Sequence, residues 1–553
     1  MAMELNDGIS ELPDHILHYI LSFLPVKDAA RTSILSKRWR NMWDSLPYLN
    51  FGSSFLKNVT TLHGHRNRRQ LKRNKISLKL VDEIILRRSR DNLHIERIYI
   101  HFPNQLHSRR KRLTRSPLNP KLKRWITCLA TSSLRELYLS NYAWSHHNLP
   151  SSILSAKSLS VLSLRGFTLS FRIKFPSLRK LELIASVLDD DIMKNLFKGC
   201  PLLEDFSLDC CSEVEYIHVT GLLNLKRLVL KDVWELKKFE IDTPQVEFLR
   251  LKGLPYSPMV INFPRVRHLS LWGEFLNDKC LDEFVSRCVL LENLSIGLAP
   301  ALENVKISSD SLKTLEVSLC KNLGKVEIIA PTLEYFYFQP ELLPNLSLNV
   351  SNMMEVKLDL WLLNVGHGEL ATFLGYFNYF RNVCMIGPKD KLFIPEDMRM
   401  NLLSPLCDTR NLAVYSPKMV ASELLDYMLW LSPQAETLSI IRKIDGRPNP
   451  TFNLSCRLLE TEHSFLKFLY DRKVVDRDLS CPSCKLLATG CWKHFLTEVR
   501  IERFRGDEDD KTKMKKFLIQ HVNDLKIVDT SALFDSIVDV SDGLHTFYDE
   551  LFI

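Results

Sequence analysis

Apolar residues recur along this chain in two rhythms. Near the start, Ile16, Leu17, Ile20, Leu21 and Leu24 fall at helical spacing, and Pro25 stops that helix. A second short helix is expected over Asp28 to Ile34. A third, capped by Ser36, sets Trp39 and Trp43 one turn apart on one face. Three helices in about forty residues are too few to bury so many large apolar groups among themselves. Part of that surface therefore needs a partner.

From residue 134 the rhythm becomes apolar-x-x-apolar-x-apolar. It begins Leu134/Leu137/Leu139, Leu159/Leu162/Leu164, Leu178/Leu181/Leu183 and Leu203/Phe206/Leu208. Leu225/Leu228/Leu230, Val246/Leu249/Leu251, Val266/Leu269/Leu271 and Leu291/Leu294/Ile296 follow. Leu312/Leu315/Val317, Leu333/Phe336/Phe338 and Met353/Val356/Leu358 close the regular part. Starts lie 19 to 25 residues apart, the period of leucine-rich repeats. Each unit supplies one short strand and a return segment that cannot bury its apolar face alone, so stacking makes one core beneath a parallel sheet. Amphipathic helices are expected at Leu188 to Lys198 and at Leu276 to Val285, before the related segments Cys200-Pro-Leu-Leu203-Glu204 and Cys288-Val-Leu-Leu291-Glu292. Ile95/Ile98/Ile100 reads as an early repeat and Ala435/Leu438/Ile440 as a degenerate one, while Lys389 to Thr409 reads mostly as loop.

Three segments of the N-terminal stretch carry a family likeness. Leu12-Pro13, then Leu24-Pro25-Val26, then Leu35-Ser36-Lys37-Arg38-Trp39 stand in the register of an F-box, and the stretch closely resembles one. An F-box followed by such an array resembles the plant F-box/leucine-rich-repeat family. At the other end, Cys491-Trp492 through Gly506, Asp507-Glu-Asp, Lys516-Phe517-Leu518 and Leu525-Lys-Ile527 look like the FBD domain of the same proteins. That domain is a strand, an acidic turn, a helix and a final repeat-like strand, here read as a cap on the last repeat.

The expected architecture is an α+β multidomain chain. A three-helix F-box spans 8–54, a basic linker 55–92 and an irregular α/β leucine-rich-repeat solenoid 93–385. A degenerate region follows over 386–480, an FBD-like domain over 481–530 and a tail over 531–553.

Composition narrows the reading. The hydrophobic fraction of 45% is that of a globular protein. No basic-then-apolar leader opens the chain and no apolar run approaches the length of a membrane span, so neither secretion nor membrane insertion is expected. Thirteen scattered cysteines point to thiols in a reducing compartment, nucleus or cytoplasm. The net charge of +9 is concentrated: residues 57 to 124 hold twenty Lys and Arg against four acidic residues. That segment reads as a nuclear-import signal, a polyanion contact, or a solvated linker with the edge of an early repeat. No aromatic interleaving accompanies it, so sequence-specific nucleic-acid binding is not expected.

No phosphate-cradling Gly-rich loop, HExxH or Gly-x-Ser-x-Gly motif stands out. The spacing Cys481-x2-Cys484-x6-Cys491-x2-His494 admits a tetrahedral zinc site, although Trp492 and Phe495 fit a strand that competes with it. Neither cofactor nor metal is assigned.

The resemblance implies a non-catalytic adaptor of an SCF-type (Skp–cullin–F-box) ubiquitin ligase. Leu12, Pro13, Ile16, Ile20, Leu24, Leu35 and Trp39 would contact the Skp adaptor, while Leu17, Leu21 and Trp43 hold the helices together. The array would bind the protein to be ubiquitinated. In this repeat class the non-anchor strand positions face the concave surface, which sets Arg227, Phe248, Arg250, Lys252 and Trp272 on three adjacent rungs. Aromatics and Arg dominate binding interfaces, so these five form a candidate acceptor for an acidic or phosphorylated segment. The alternatives are a small-molecule co-receptor and a non-degradative Skp-bound scaffold.

Overall fold

Pro13 and Pro25 each stand at the N-terminal boundary of a helix: α1 (Asp14–Ser22) and α2 (Val26–Thr32). Proline lacks the N–H that a helix interior needs but suits its entrance, so each residue separates one helix from what precedes it. That is why α2 begins directly at Val26 rather than at Asp28. α3 (Lys37–Ser45) starts at Ser36, whose hydroxyl accepts the Trp39 N–H at 3.2 Å. Leu17, Leu21, Ala29, Trp39, Met42 and Leu46 form the core of this bundle, with Leu12, Leu24 and Trp43 packed against it.

The computed structural model describes residues 9, 12–52, 55, 68–102, 120–130, 133–141, 147–170, 173–188, 190–255, 259–388, 392–399, 402–415, 421–441, 463–470, 496–503, 508–522 and 525–529. They fall into two compact units, 1–275 with 287–290 and 276–286 with 291–553.

Within the stretch read as a solvated basic linker, residues 68–90 form a helix of 23 residues, α4 (Arg68–Arg90). Leu78, Val81 and Ile85 recur at helical spacing and are buried, an amphipathic stripe overshadowed in sequence by the surrounding charges. One turn beyond Ile85, the buried Arg88 donates to the Leu46 carbonyl and, at 2.7 Å, to the Trp43 carbonyl. These groups lie at the C-terminus of α3, where helix carbonyls lack partners. Arg88 thereby ties the bundle to α4, and its guanidinium also lies 5.6 Å from the Trp43 ring centroid.

The strand Tyr48–Phe51 pairs in parallel with Arg97–Phe102. Leu46, Leu49 and Phe51 carry the repeat spacing and are buried, so the end of the bundle is itself the first rung. In the first unit the ladder then runs through Glu136–Asn141, Val161–Arg165, Lys180–Ile184, Asp205–Asp209, Arg227–Lys231, Phe248–Lys252 and His268–Trp272, all parallel and in register. The residue after many of these strands turns the chain with a positive φ: Gly166, Ala185, Cys210, Asp232 and Gly253. There the N–H of Ala185 donates to Asp209 O at 2.7 Å, that of Cys210 to Lys231 O at 2.9 Å and that of Asp232 to Lys252 O at 2.8 Å. The corner of each rung is thus locked to the next.

In the second unit Asn293–Gly297, Thr314–Ser318, Tyr335–Gln339, Glu355–Asp359, Asn382–Ile386, Asn411–Tyr415 and Thr437–Ile441 form the same kind of parallel ladder. Thr437–Ile441 is the strand of the degenerate triad Ala435/Leu438/Ile440, and Asn411–Tyr415 adds a rung within the region read as irregular. Two antiparallel strands follow, His463–Tyr470 and Leu496–Arg503, and the latter pairs in parallel with Lys526–Asp529. The helix Glu508–His521 packs against the helix Ala421–Leu431. This is the expected strand–helix–strand order at the C-terminal end, and it extends the last repeat.

The helices Asp190–Gly199 and Asp278–Arg287 occur where amphipathic spacing places them. Their first residues perform the same task. Asp190 Oδ1 accepts the N–H groups of Glu215 and Tyr216 at 3.0 and 3.1 Å, while Asp278 Oδ1 accepts those of Glu303 and Asn304 at 2.9 and 3.0 Å. The two repeats thus share this bond as well as the Cys-x-Leu-Leu-Glu segment. Among the described residues, no helix is long and apolar enough to cross a membrane.

Candidate functional site

The bundle exterior is markedly apolar. Leu35 is 66% and Ile34 82% exposed, and Ile20, Phe23 and Tyr19 are also exposed. Pro13 is exposed, while Leu12, Ile16 and Leu24 are half-buried. Trp39 lies in the core at 7% exposure, so its contribution to a contact would be support from beneath. Sequence reasoning passed over Phe23 and Ile34, each directly beside a residue it selected. Arg38 holds the opening segment to α3 through Asp14, at 2.7 Å, and through the Leu12 carbonyl. Completely burying one such aliphatic side chain contributes about 1.5–3 kcal/mol, so a partner covering several gains a large driving force.

The second candidate surface is the face of the first unit's ladder that carries the non-anchor strand positions. The register places Phe248 between Arg227 and His268, Arg250 beside Ser270, and Lys252 between Lys231 and Trp272. Arg227 Cζ stands 3.9 Å from the Phe248 ring centroid and Arg250 Cζ 5.4 Å from it. The Lys252 ammonium lies 5.8 Å from the Trp272 ring centroid, and Trp272 itself is buried. Two neighbouring cations are already engaged: Arg227 Nε lies 3.7 Å from Asp205 and Lys231 Nζ 2.8 Å from Asp209. Burial pushes the Asp205 carboxyl above its ordinary value and the Lys252 ammonium below its own. The patch is an interleaved set of charges and rings, and an acidic partner would compete with resident carboxylates.

Among the described residues, Asp209, Cys210 and Asp232 bring ligand atoms within 4.8 Å of one another. The group suits a hydrogen-bonded corner better than a metal. Lys231 already neutralises Asp209, and burial together with the two acids pushes the Cys210 thiol up to about 12. The Cys481, Cys484, Cys491 and His494 cluster lies outside the described residues.

Comparison with known proteins agrees with this geometry. Residues 9–51 match the F-box domain family. Residues 122–258 and 245–440 match the repeat family described as FBD-associated F-box protein At5g56370, LRR repeats. The chain belongs to the plant F-box/leucine-rich-repeat family with FBD-associated members. It is 26% identical over 359 residues to F-box/LRR-repeat protein 13 of Arabidopsis thaliana, covering 61% of this chain and 73% of that protein. It is 29% identical over 274 residues to the FBD-associated F-box protein At5g38590 of the same plant, covering 47% of this chain and 60% of the relative. The similarity to FBD-associated F-box protein At4g10400, also from Arabidopsis thaliana, is 30% over 286 residues, covering 50% and 63%.

Proposed function

We propose that this chain is the target-recognition subunit of an SCF-type ubiquitin ligase, working in the nucleus or cytoplasm. The observation that carries the reading is the F-box bundle itself, whose core is complete without Pro13, Ile20, Phe23, Ile34 and Leu35. Those residues offer a Skp adaptor an apolar surface that water does not favour. The chain contributes no bond chemistry. Its work is proximity, holding a target's lysines near a ubiquitin-loaded conjugating enzyme.

The patch of Arg227, Phe248, Arg250, Lys252 and Trp272 is the proposed target contact. A reconstituted ligase containing this chain, a Skp adaptor, a cullin and a RING subunit should transfer ubiquitin to a protein captured by the array. Arg250→Glu should abolish both capture and transfer while leaving the adaptor bound. Transfer that survives the charge reversal would remove the patch from the reading. A captured partner that never acquires ubiquitin would instead favour a scaffold.

A further inference from the structure

Positive charge in this chain is gathered on one pair of helices. α4 holds nine Lys and Arg against Asp82 and Glu83, a net +7. The helix Pro120–Leu129, packed beside it, adds Lys121, Lys123 and Arg124 with no acid, a net +3. The whole chain carries +9, so everything outside these two helices sums to −1. Packing uses part of the excess. Asp82 takes Arg124 and, at 4.0 Å, Lys121, while Arg87 lies 3.5 Å from both Asp44 and Asp91.

The rest lies away from the core. Leu78, Val81, Ile85 and Arg88 form the buried stripe of α4, whereas Ile76, Lys79, Leu80, Glu83 and Arg87 are exposed. At 3.6 residues per turn these five gather on the side opposite the stripe. The same register brings positions 69, 72 and 73, all Arg or Lys, into line with Ile76, Lys79 and Leu80. From residue 69 to residue 80 the outer face thus reads cation, cation, cation, aliphatic, cation, aliphatic. Ile76 is 52% and Leu80 42% exposed, one turn apart. Residues 68–75 also set five cations and no acid at the positive end of the helix dipole. Such an end repels itself in water, and a surface of negative charge relieves it.

We propose that this face docks on an anionic lipid bilayer, its cations against the headgroups and Ile76 and Leu80 at the boundary of the acyl chains. Charge alone would suit a nucleic acid equally. The aliphatic pair decides between them, because a bilayer offers those side chains an apolar medium and a phosphodiester backbone does not. The contact is peripheral and weakens with salt. It involves neither the exposed apolar residues of the bundle nor the Arg227–Trp272 patch, so it stands or falls separately from the adaptor reading.

Flotation of the full chain with vesicles tests it, using phosphatidylcholine alone or with about one-third phosphatidylserine. The chain should float with the anionic vesicles only, and raised salt should release it. Lys79→Gln should weaken that binding about fivefold, the worth of one cation at such a surface. Leu80→Gln should weaken it several-fold while leaving binding to heparin or duplex RNA unchanged. Both residues are exposed, and an unchanged circular dichroism spectrum verifies each fold. Absence of flotation with anionic vesicles, or unchanged lipid affinity in either variant, would overturn the proposal. Duplex RNA bound more tightly than the vesicles, with no effect of Leu80→Gln on either, would assign the face to nucleic acid instead.

Discussion

The Arg227 guanidinium sits 3.9 Å above the Phe248 ring centroid, across the junction of two neighbouring rungs. Asp205 on the preceding rung holds the same guanidinium from its other side at 3.7 Å. The ring and the carboxylate together hold a long, part-exposed side chain on the face of the sheet away from the core. A double-mutant cycle of Arg227→Met and Phe248→Leu should give a coupling of about 0.5–1 kcal/mol, the range for partly exposed cation–ring pairs. Chemical denaturation measures it, and strictly additive single effects would show that the contact is incidental.

Arg88 supplies the clearest link between the F-box and the repeats. Removing its guanidinium takes the side-chain donor from the buried Leu46 carbonyl and leaves the Trp43 carbonyl only the Leu46 N–H, at 3.3 Å. Arg88→Met should destabilise the first unit by about 2 kcal/mol. It should also raise amide exchange in α3 and in the Tyr48–Phe51 strand, read by hydrogen-exchange mass spectrometry. Burial pushes this guanidinium down to about 10, so it stays charged near neutrality and the effect should not vary there with pH.

Asp278 predicts an acid-dependent loss. Burial alone would raise its carboxyl, but the bonds from Asn304 and Glu303 outweigh that and hold it below its ordinary value. A depressed folded-state value means the carboxylate contributes stability above the unfolded value of 3.8, lost as pH falls through the folded one. Asp278→Ala should therefore destabilise by about 1–2 kcal/mol at neutral pH, with a smaller difference near pH 3. Unfolding midpoints at the two pH values check this. An equal penalty at both would place the effect in helix packing instead.

What the sequence disclosed depended on which residues fill the anchor positions. All eleven triads from Leu134 to Leu358 became strands, because each anchor must be apolar to fill the core between rungs. The Asn411–Tyr415 strand escaped because its first anchor is Thr409, fully buried although polar, with its carbonyl receiving the Ser432 hydroxyl at 2.8 Å. α4 escaped because Leu78, Val81 and Ile85 are outnumbered by Lys and Arg. The pairing of the non-anchor positions across rungs was legible from alternation, although Trp272 is buried rather than exposed. Their charge pairing was not, since Asp205 and Arg227 are adjacent only after stacking. Likewise Trp39 reads as a surface residue in its motif, yet helix packing puts it in the core.

The most direct measurement is the affinity of the purified chain for a Skp adaptor, beside a Leu35→Asp variant. Leu35 is 66% exposed and outside the bundle core, so the variant should keep its fold, verified by an unchanged circular dichroism spectrum. The account predicts a stable complex for the wild type and a loss of at least about a hundredfold in affinity for the variant, as expected for a charge placed at an apolar interface. Folded wild-type protein that ignores Skp adaptors, or a variant that binds as tightly as wild type, would contradict it.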